Sequence, residues 1–94
     1  MATATWNNEV IAESDDVIEI EGNLYFPPHS LRREFFQPST KQTTCPWKGV
    51  ASYYDVTVNG ESNQAAAWYY ARPKSAASQI RDYVAFWRGV ETAR

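Results

Sequence analysis

The residues best suited to chemistry lie in one stretch of the chain, residues 43–54. It holds the single cysteine, Cys45, and a lysine, Lys48, that stands between Trp47 and a glycine. A thiol and an amine both form covalent intermediates once their surroundings favour the nucleophilic form. The stretch therefore suggests where a site lies, although it does not name a reaction.

Cys45 has one candidate partner for acid–base chemistry, because His29 is the only histidine of the chain. A histidine within hydrogen-bond reach of a thiol can take its proton and leave the nucleophilic thiolate. No third residue that would orient the imidazole is evident in the sequence. The simpler interpretation is a small buried thiol and a surface histidine that follows two prolines, and both interpretations stay open.

Lys48 also permits more than one interpretation. A lysine packed among rings and partly desolvated has a lowered pKa, and it can act as an amine nucleophile or bind an anion. A lysine at a strand edge can instead lie along an indole, a cation–π contact of roughly 0.5–1 kcal/mol when exposed. Our hypothesis is that Lys48 points into an aromatic-lined pocket and serves a ligand rather than stability.

Several aromatic residues and one arginine are predicted to line this pocket. Aromatic residues make up 15% of the chain, and part of this excess is what a short chain needs to build a core. An aromatic face is more often core than ligand cage, but nearby phenols and cations supply polar groups for a ligand. The predicted ligand-binding residues are Tyr25, Trp47, Lys48, Tyr53, Trp68, Tyr70 and Arg72.

The elements that position these residues are predicted to be mostly strands. Alternation predicts strands over residues 2–6, 9–14 and 17–20, joined by two tight turns. If both turns have two residues, Ala4 lies opposite Ile11, and the strands form a three-stranded meander with one apolar side. That side is predicted to carry Ala4, Trp6, Ile11, Ile18 and Ile20.

The middle of the chain is predicted to contain a short helix and a loop. The double proline Pro27-Pro28 bars both strand pairing and helix continuation. Ser30 is placed to cap a helix over residues 31–36. Pro38 ends that helix, and a loop through Thr44 follows.

Two long strands are predicted on either side of Asn59-Gly60, the best hairpin signal of the chain. Residues 47–58 alternate, and residues 64–72 return. A two-residue turn sets Ala51 opposite Trp68, whereas a longer loop moves Trp68 to the opposite face of the sheet. With the two-residue turn, one face carries Trp47, Tyr53, Trp68, Tyr70 and Arg72.

The C-terminal segment fits both helical spacing and strand composition. We predict one helical turn near residues 75–80, a strand over 82–87, a turn at Arg88-Gly89 and a short return. The predicted fold class is therefore mainly β, a single small domain over residues 1–94 with antiparallel sheets and one or two short helices.

Composition and charge argue against several classes of partner. The net charge of −2 does not suit a nucleic-acid platform, which needs a positive field to neutralise phosphates. No apolar run approaches the roughly 20 residues that span a bilayer, so we expect no membrane attachment. One cysteine cannot form an internal disulfide, and we expect a cytoplasmic protein. One Cys and one His do not supply the ligands of a closed zinc site, so we expect no metal and no cofactor.

Several motifs resemble a known group of small bacterial and fungal domains of unknown function, some of which carry a nucleotidyltransferase label. The motifs are Glu-Gly-Asn-Leu-Tyr-Phe-Pro at 21–27, Thr-Cys-Pro-Trp-Lys-Gly at 44–49, Ala-Ser-Tyr-Tyr at 51–54, Ala-Ala-Trp-Tyr-Tyr at 66–70 and Tyr-Val-Ala-Phe at 83–86. The resemblance implies a tent-like β fold, in which two antiparallel sheets meet at an angle. Many tent-fold relatives hold zinc through two Cys-x-x-Cys pairs, which the lone Cys45 does not provide. The label implies paired carboxylates around Mg²⁺, and no convincing pair stands out in the sequence.

Three functions of different classes follow from the sequence. The first is a small-ligand-binding domain in which Lys48 or Arg72 meets an anionic or polar ligand. The second is an enzyme, with Cys45 or Lys48 as nucleophile or with a nucleotide as substrate. The third is a structural or protein-interaction module whose aromatic residues are all core. A ring-lined cavity with Lys48 inside would support the first two, and a closed core would support the third.

Overall fold

The chain folds into antiparallel strands that form three sheets. A computed structural model describes residues 1–94. The strands are β1 (Ala2–Trp6), β2 (Glu9–Ser14), β3 (Ile18–Ile20), β4 (Asn23–Tyr25), β5 (Phe36–Cys45), β6 (Gly49–Val58), β7 (Glu61–Tyr69), β8 (Val84–Phe86) and β9 (Glu91–Ala93). Short 3-10 turns lie at Pro28–Ser30, Arg33–Phe35 and Ser75–Ile80. The predicted fold class, mainly β with antiparallel sheets and only short helical segments, is confirmed.

The largest sheet has the strand order β5-β6-β7-β8 and contains the predicted hairpin. Asn59 and Gly60 form its two-residue turn, and their positive φ values of 52° and 80° are the left-handed backbone conformation that such turns require. Next to the turn the register follows the prediction, but a bulge then shifts it by two residues. Tyr53, and not Ala51, lies opposite Trp68.

The bulge is built around Ala65, which has a φ of 53°. Its N–H donates a hydrogen bond of 2.7 Å to Oδ1 of Asp55, which replaces the lost ladder bond. Because side chains alternate with a period of two, a shift of two residues returns the strand beyond the bulge to its predicted face, whereas Ala65 and Ala66 within the bulge change sides. Tyr53, Trp68 and Tyr70 therefore share one side of the sheet, as the two-residue turn predicts.

Strand β5 shows that the predicted helix over residues 31–36 and the predicted loop through Thr44 are wrong. Only Arg33–Phe35 is helical, as one 3-10 turn. The Ser30 hydroxyl donates to the carbonyl oxygen of Pro27 at 2.7 Å and caps no helix. Local helix signals lose here because β6 offers a full row of backbone partners, which β5 pairs over most of its length.

Pro38 lies within β5 and does not end an element as predicted. Strand β5 is an edge strand, so a missing N–H leaves no central ladder bond unpaired. The pairing with β6 also breaks between Pro38 and Gln42 before it resumes. This break turns residues 39–41 out of the ladder.

The predicted N-terminal meander is wrong in its third strand. The Asn7-Asn8 turn joins β1 to β2 as expected, but the sheet has the order β2-β1-β9. After β2 the Ser14 hydroxyl accepts a hydrogen bond of 2.9 Å from the N–H of Asp16, and this local turn redirects the chain. A second bulge places Ala4 opposite Ala12 rather than Ile11.

Strands β3 and β4 form a hairpin of their own. Its two-residue turn is Glu21-Gly22, with φ values of 55° and 80°. The hairpin is tied to the largest sheet because Phe26 and Val84 exchange two backbone hydrogen bonds of 2.8 Å. This tie joins the strand that follows the Glu21-Gly22 turn to the sheet that contains β6.

The core consists of two clusters on different sides of the strands. The first cluster is Ala2, Ala4, Ile11, Ala12, Phe26, Leu31, Val56, Val58, Ala66, Ala67, Val84 and Phe86. The second cluster is Tyr25, Ala51, Tyr53, Ala65, Tyr70, Ala77, Ile80 and Ala85, with Trp68 and Cys45 packed against it. Ile18 and Ile20 pack on the second cluster while Ala4 and Ile11 belong to the first. The shared apolar face predicted for these four residues is therefore also wrong.

The C-terminal segment has the predicted division. A 3-10 turn spans Ser75–Ile80, and the strand is β8. Arg88 and Gly89 turn the chain with positive φ values of 55° and 86°. The short return is β9, which pairs with β1. No helix of the chain has the length and apolar character needed to cross a membrane.

Two valines of β6 test where this core lies. Val56 is 0% exposed and Val50 is 48% exposed. The Val56→Ala change removes buried methyl groups and leaves a cavity, so the free energy of unfolding should fall by about 2–3 kcal/mol. Val50→Ala should change it by less than about 0.5 kcal/mol. Urea unfolding measures both, and equal losses would contradict the placement of the core.

Candidate functional site

Lys48 lies in the turn that joins β5 to β6, and a neighbouring segment holds this turn from the side. The backbone N–H of Lys74 donates to the carbonyl oxygen of Lys48 at 2.9 Å. The ammonium of Lys74 donates to the carbonyl oxygen of Pro46 at 2.6 Å. Two bonds from one residue therefore fix the backbone on which the Lys48 side chain is mounted.

Gly49 allows this close approach. Its φ is 112°, a conformation that other residues rarely adopt, and it pairs with Cys45 where β5 and β6 meet. A Cβ at this position would lie 3.4 Å from the carbonyl oxygen of Arg72. The glycine of the Trp-Lys-Gly motif is therefore explained by backbone packing rather than by ligand chemistry.

The side chain of Lys48 is nearly buried, and its ammonium is held by one carboxylate. Nζ of Lys48 donates to Oε1 of Glu21, and the two side chains are 8% and 53% exposed, respectively. The same ammonium lies 5.0 Å from the ring centre of Trp47 and 5.8 Å from that of Tyr70. A charge that has lost most of its water is thus surrounded by one carboxylate and two electron-rich ring faces.

The pKa values of the pair move in the directions that this contact requires. Burial alone would lower the pKa of Lys48, but the hydrogen bond to Glu21 and the nearby negative groups outweigh it, so the pKa is raised. The hydrogen bond from Lys48 holds the pKa of Glu21 below its usual range. Both side chains are therefore charged at neutral pH.

Two tyrosines complete the surroundings of the ammonium. Tyr25 is buried, and its hydroxyl accepts a hydrogen bond of 3.2 Å from the indole N–H of Trp68. Burial raises the pKa of Tyr25 and of Tyr70, so both phenols stay neutral. Cys45 is half-buried and close enough to contribute to the pKa values of Lys48, Tyr25 and Tyr70. We call this group the Lys48 cluster, and its members are Glu21, Tyr25, Cys45, Trp47, Lys48 and Tyr70.

The structure brings most of the predicted site residues to one side of the molecule. Four predicted ligand-binding residues, Tyr25, Trp47, Lys48 and Tyr70, belong to the Lys48 cluster. Tyr53 and Trp68 lie on the same face further along the sheet, where they are cross-strand neighbours. Arg72 is exposed, and it lines a shallow concavity of about 250 Å³ together with Gln42, Val50, Ser52 and Ala71.

His29 and Cys45 are placed apart. His29 is exposed in the Pro28–Ser30 turn, which contacts β2, whereas Cys45 packs against the second cluster. No hydrogen bond connects the two side chains, so the structure does not bring together the thiol and its candidate base.

The aromatic-lined pocket around Lys48 is not open in this structure. The chain has two concave surfaces, of about 450 and 250 Å³, and Lys48 lines neither of them. The carboxylate of Glu21 occupies the position beside the ammonium where the prediction places a ligand. Sequence reasoning missed this partner, although Glu21-Gly22 between two short apolar runs is a signal for a hairpin turn.

The cluster favours anion binding over amine chemistry. A lysine nucleophile needs a lowered pKa, and the pKa of Lys48 is raised. An ammonium on a nearly buried side chain, with neutral phenols and ring faces around it, is instead suited to hold an anionic group. The structure brings no three His, Cys, Asp or Glu side chains together in a way that could hold a metal ion. The residues present thus do not fit a multi-carboxylate metal centre.

The chain matches a known protein family. The family model NTP_transf_9, described as a domain of unknown function (DUF427), matches residues 1–93. No curated protein matches the chain.

The Glu21–Lys48 pair predicts how stability depends on acid pH. Because the pKa of Glu21 is lowered on folding, the stability it contributes is present above its usual pKa of 4.5 and is lost as pH falls through the lower folded value. The wild-type chain should therefore exceed Glu21→Gln in stability at neutral pH, and this difference should vanish in acid.

Urea unfolding between neutral and strongly acid pH measures the difference. Glu19→Gln on the same hairpin is the matched control, because the contact of Glu19 with Arg94 is exposed on both sides. Between neutral and strongly acid pH, the free energy of unfolding of this variant should run almost parallel to that of the wild type. A Glu21→Gln difference that stays constant down to the lowest pH would contradict the pairing. The change of stability at alkaline pH is a less specific test, since Lys48, Tyr25 and Tyr70 all have raised pKa values and would all contribute to it.

Proposed function

The chain belongs to the DUF427 family, and we propose that it is a small-ligand-binding domain in which the Lys48 ammonium receives an anionic group of the ligand. Glu21 acts as an internal placeholder that the ligand displaces. The observation that carries this proposal is the unequal burial of the ion pair: the ammonium side chain is 8% exposed and its carboxylate partner is 53% exposed.

Because Lys48 and Glu21 are unequally buried, replacing Glu21 by a ligand anion costs little free energy. Removing one partner of a fully buried ion pair leaves an uncompensated charge in the interior, which costs several kcal/mol. Here the displaced partner is half in water already, so Glu21 becomes hydrated when it leaves Lys48. An incoming carboxylate or phosphate supplies the negative charge that the ammonium still needs. The net change therefore depends mainly on how well the ligand fits.

The position of Glu21 supports a movable partner. It lies in a two-residue turn and has a φ of 55°, a left-handed conformation that costs energy for a residue with a Cβ. Gly22 beside it shares the left-handed conformation, and a Cβ there would meet nothing within 4 Å. An exposed turn with open space around it can swing outward without disturbing the strands.

The rings beside the ammonium give the ligand a surface to pack on. Trp47 is 38% exposed although it lies next to a nearly buried lysine. Its backbone stands in the turn that Lys74 holds on both sides. A flat or apolar part of a ligand can stack on the indole while its anionic group reaches Lys48.

An enzymatic function is the second candidate, and the place of Cys45 favours it. The thiol belongs to the same cluster as the ammonium, and a cysteine side chain can act as a nucleophile that forms a covalent intermediate. The raised pKa of Lys48 makes the lysine itself the weaker nucleophile. The name of the matching family model, NTP_transf_9, suggests nucleotidyl transfer. Because no three ligating side chains meet, we derive no step through a metal ion.

A thermal-shift screen against small carboxylates and phosphate esters tests the proposed binding. A ligand at 100 times its Kd should stabilise the fold by about 2.7 kcal/mol, which is a rise in Tm of roughly 10 °C or more for a chain of this size. Lys48→Met should abolish the rise. Glu21→Gln should enlarge it, because the internal competitor no longer carries a charge.

Arg32→Gln is the control, since it removes an exposed cation that takes no part in the Lys48 cluster. It should keep most of the rise in Tm. Hits that survive Lys48→Met unchanged, or hits that Glu21→Gln weakens, would overturn the exchange of Glu21 for a ligand. The absence of any hit among carboxylates and phosphate esters would overturn the proposal itself.

A further inference from the structure

A second candidate site lies where two irregularities of the largest sheet meet. The β5–β6 pairing breaks between Pro38 and Gln42, and the β6–β7 pairing breaks between Tyr54 and Val56. Residues released from both ladders line a cleft of about 450 Å³. This volume is within the range of small-molecule sites, roughly 300–1,000 Å³. We call it the bulge cleft, and its polar lining residues include Ser39, Thr40, Lys41, Asp55, Gln64 and Arg88.

Two cations of the bulge cleft have no acidic partner. The ion pairs of the chain join the N-terminal ammonium to Asp15, Lys48 to Glu21, and Arg94 to Glu19. Neither Lys41 nor Arg88 takes part in any of them. Neither cation of this cleft is therefore paired with an acidic side chain at salt-bridge distance.

Aromatic rings hold both cations in place. The ammonium of Lys41 lies 5.7 Å from the ring centre of Tyr53, and the guanidinium of Arg88 lies 4.6 Å from that of Trp87. The two rings are neighbours, with centres 6.3 Å apart. One N–H of Arg88 also donates to the carbonyl oxygen of Gln64 at 2.9 Å. These contacts favour positions of the two cations beside the cleft, which lowers the entropic cost of binding.

Asp55 adds a negative charge and a hydrogen-bond acceptor to the bulge cleft. Its Oδ1 accepts the 2.7 Å hydrogen bond from Ala65 N–H, which fixes the carboxylate at the wall and leaves its other oxygen to accept from a ligand hydroxyl. Two cations face one carboxylate, so the lining has a net positive charge. Only one lining residue is hydrophobic, which does not suit an apolar ligand.

We propose that the bulge cleft binds a small hydroxylated phosphate ester. The phosphate lies against Lys41 and Arg88, whose ammonium and guanidinium match a doubly charged tetrahedral group. The ligand hydroxyls bond to the Asp55 carboxylate and to the Ser39 and Thr40 side chains. The site shares no residue with the Lys48 cluster, and so it does not depend on the function proposed there.

NMR titration of the intact chain with two probes, inorganic phosphate and glycerol 3-phosphate, tests the proposal. Saturable shifts are expected at the amides of residues 39–41 and 64–65, with tighter binding of glycerol 3-phosphate. Lys41→Gln should weaken both probes roughly fivefold. Asp55→Asn keeps an oxygen for Ala65 N–H, and it should strengthen inorganic phosphate because a repelling charge is gone.

Two controls separate this site from general charge effects and from the Lys48 cluster. Arg32→Gln removes an exposed cation outside the cleft, and Lys48→Met removes the ammonium of the other site. Both should leave the affinities unchanged. The proposal is overturned if no saturable shift occurs, if Arg32→Gln weakens binding as much as Lys41→Gln does, or if Asp55→Asn weakens inorganic phosphate. Equal affinity for the two probes would overturn the assignment of a hydroxylated ligand. Thermal unfolding confirms that each variant is folded.

Discussion

The near-complete burial of one lysine side chain is the constraint on which this structure depends. Burying a lysine costs several kcal/mol unless a negative group meets it, and Glu21 meets Lys48 from a hairpin turn. The β3–β4 hairpin reaches that place because Phe26 and Val84 join it to the largest sheet. On the other side, Lys74 holds the turn that carries Lys48, and Gly49 lets the two backbones approach. Three separate parts of the chain therefore converge on a single charge.

The bulges explain how one small sheet can both build the core and form a polar cleft. Each bulge releases a few residues from the ladder without moving the apolar side chains beyond it to the wrong face. The core clusters keep their composition, while the released residues form a polar cleft on which unpaired cations are exposed. Long strands in perfect register would have left no such concave surface.

Much of the fold follows from local sequence signals. The errors occur where contacts between distant parts of the chain decide the structure. Asn59-Gly60 predicts a hairpin and Arg88-Gly89 predicts a turn, because residue types that readily adopt a left-handed backbone conformation can be recognised in a sequence. The bulge at Ala65 is not visible, since alanine carries no preference for a positive φ. Strand β5 could not be predicted from the sequence either. Ser30 and Pro38 are local signals for a helix, whereas the pairing of β5 with β6 depends on residues elsewhere in the chain. The aromatic group around Lys48 could be predicted from alternation, but its partner Glu21 belongs to a different sheet.

The most direct test of this account is the free energy of unfolding of Lys48→Met compared with the wild type and with Glu21→Gln. Methionine keeps the length of the side chain and removes the charge, and the half-exposed Glu21 regains water when its partner is lost. If Glu21 is only a placeholder that a ligand can displace, Lys48→Met should lose no more stability at neutral pH than Glu21→Gln does, because both changes remove the same ion pair and only Glu21→Gln leaves the Lys48 ammonium without its carboxylate. A loss that exceeds that of Glu21→Gln by about 1–3 kcal/mol would show that the ammonium is a structural hydrogen-bond donor and would contradict the account.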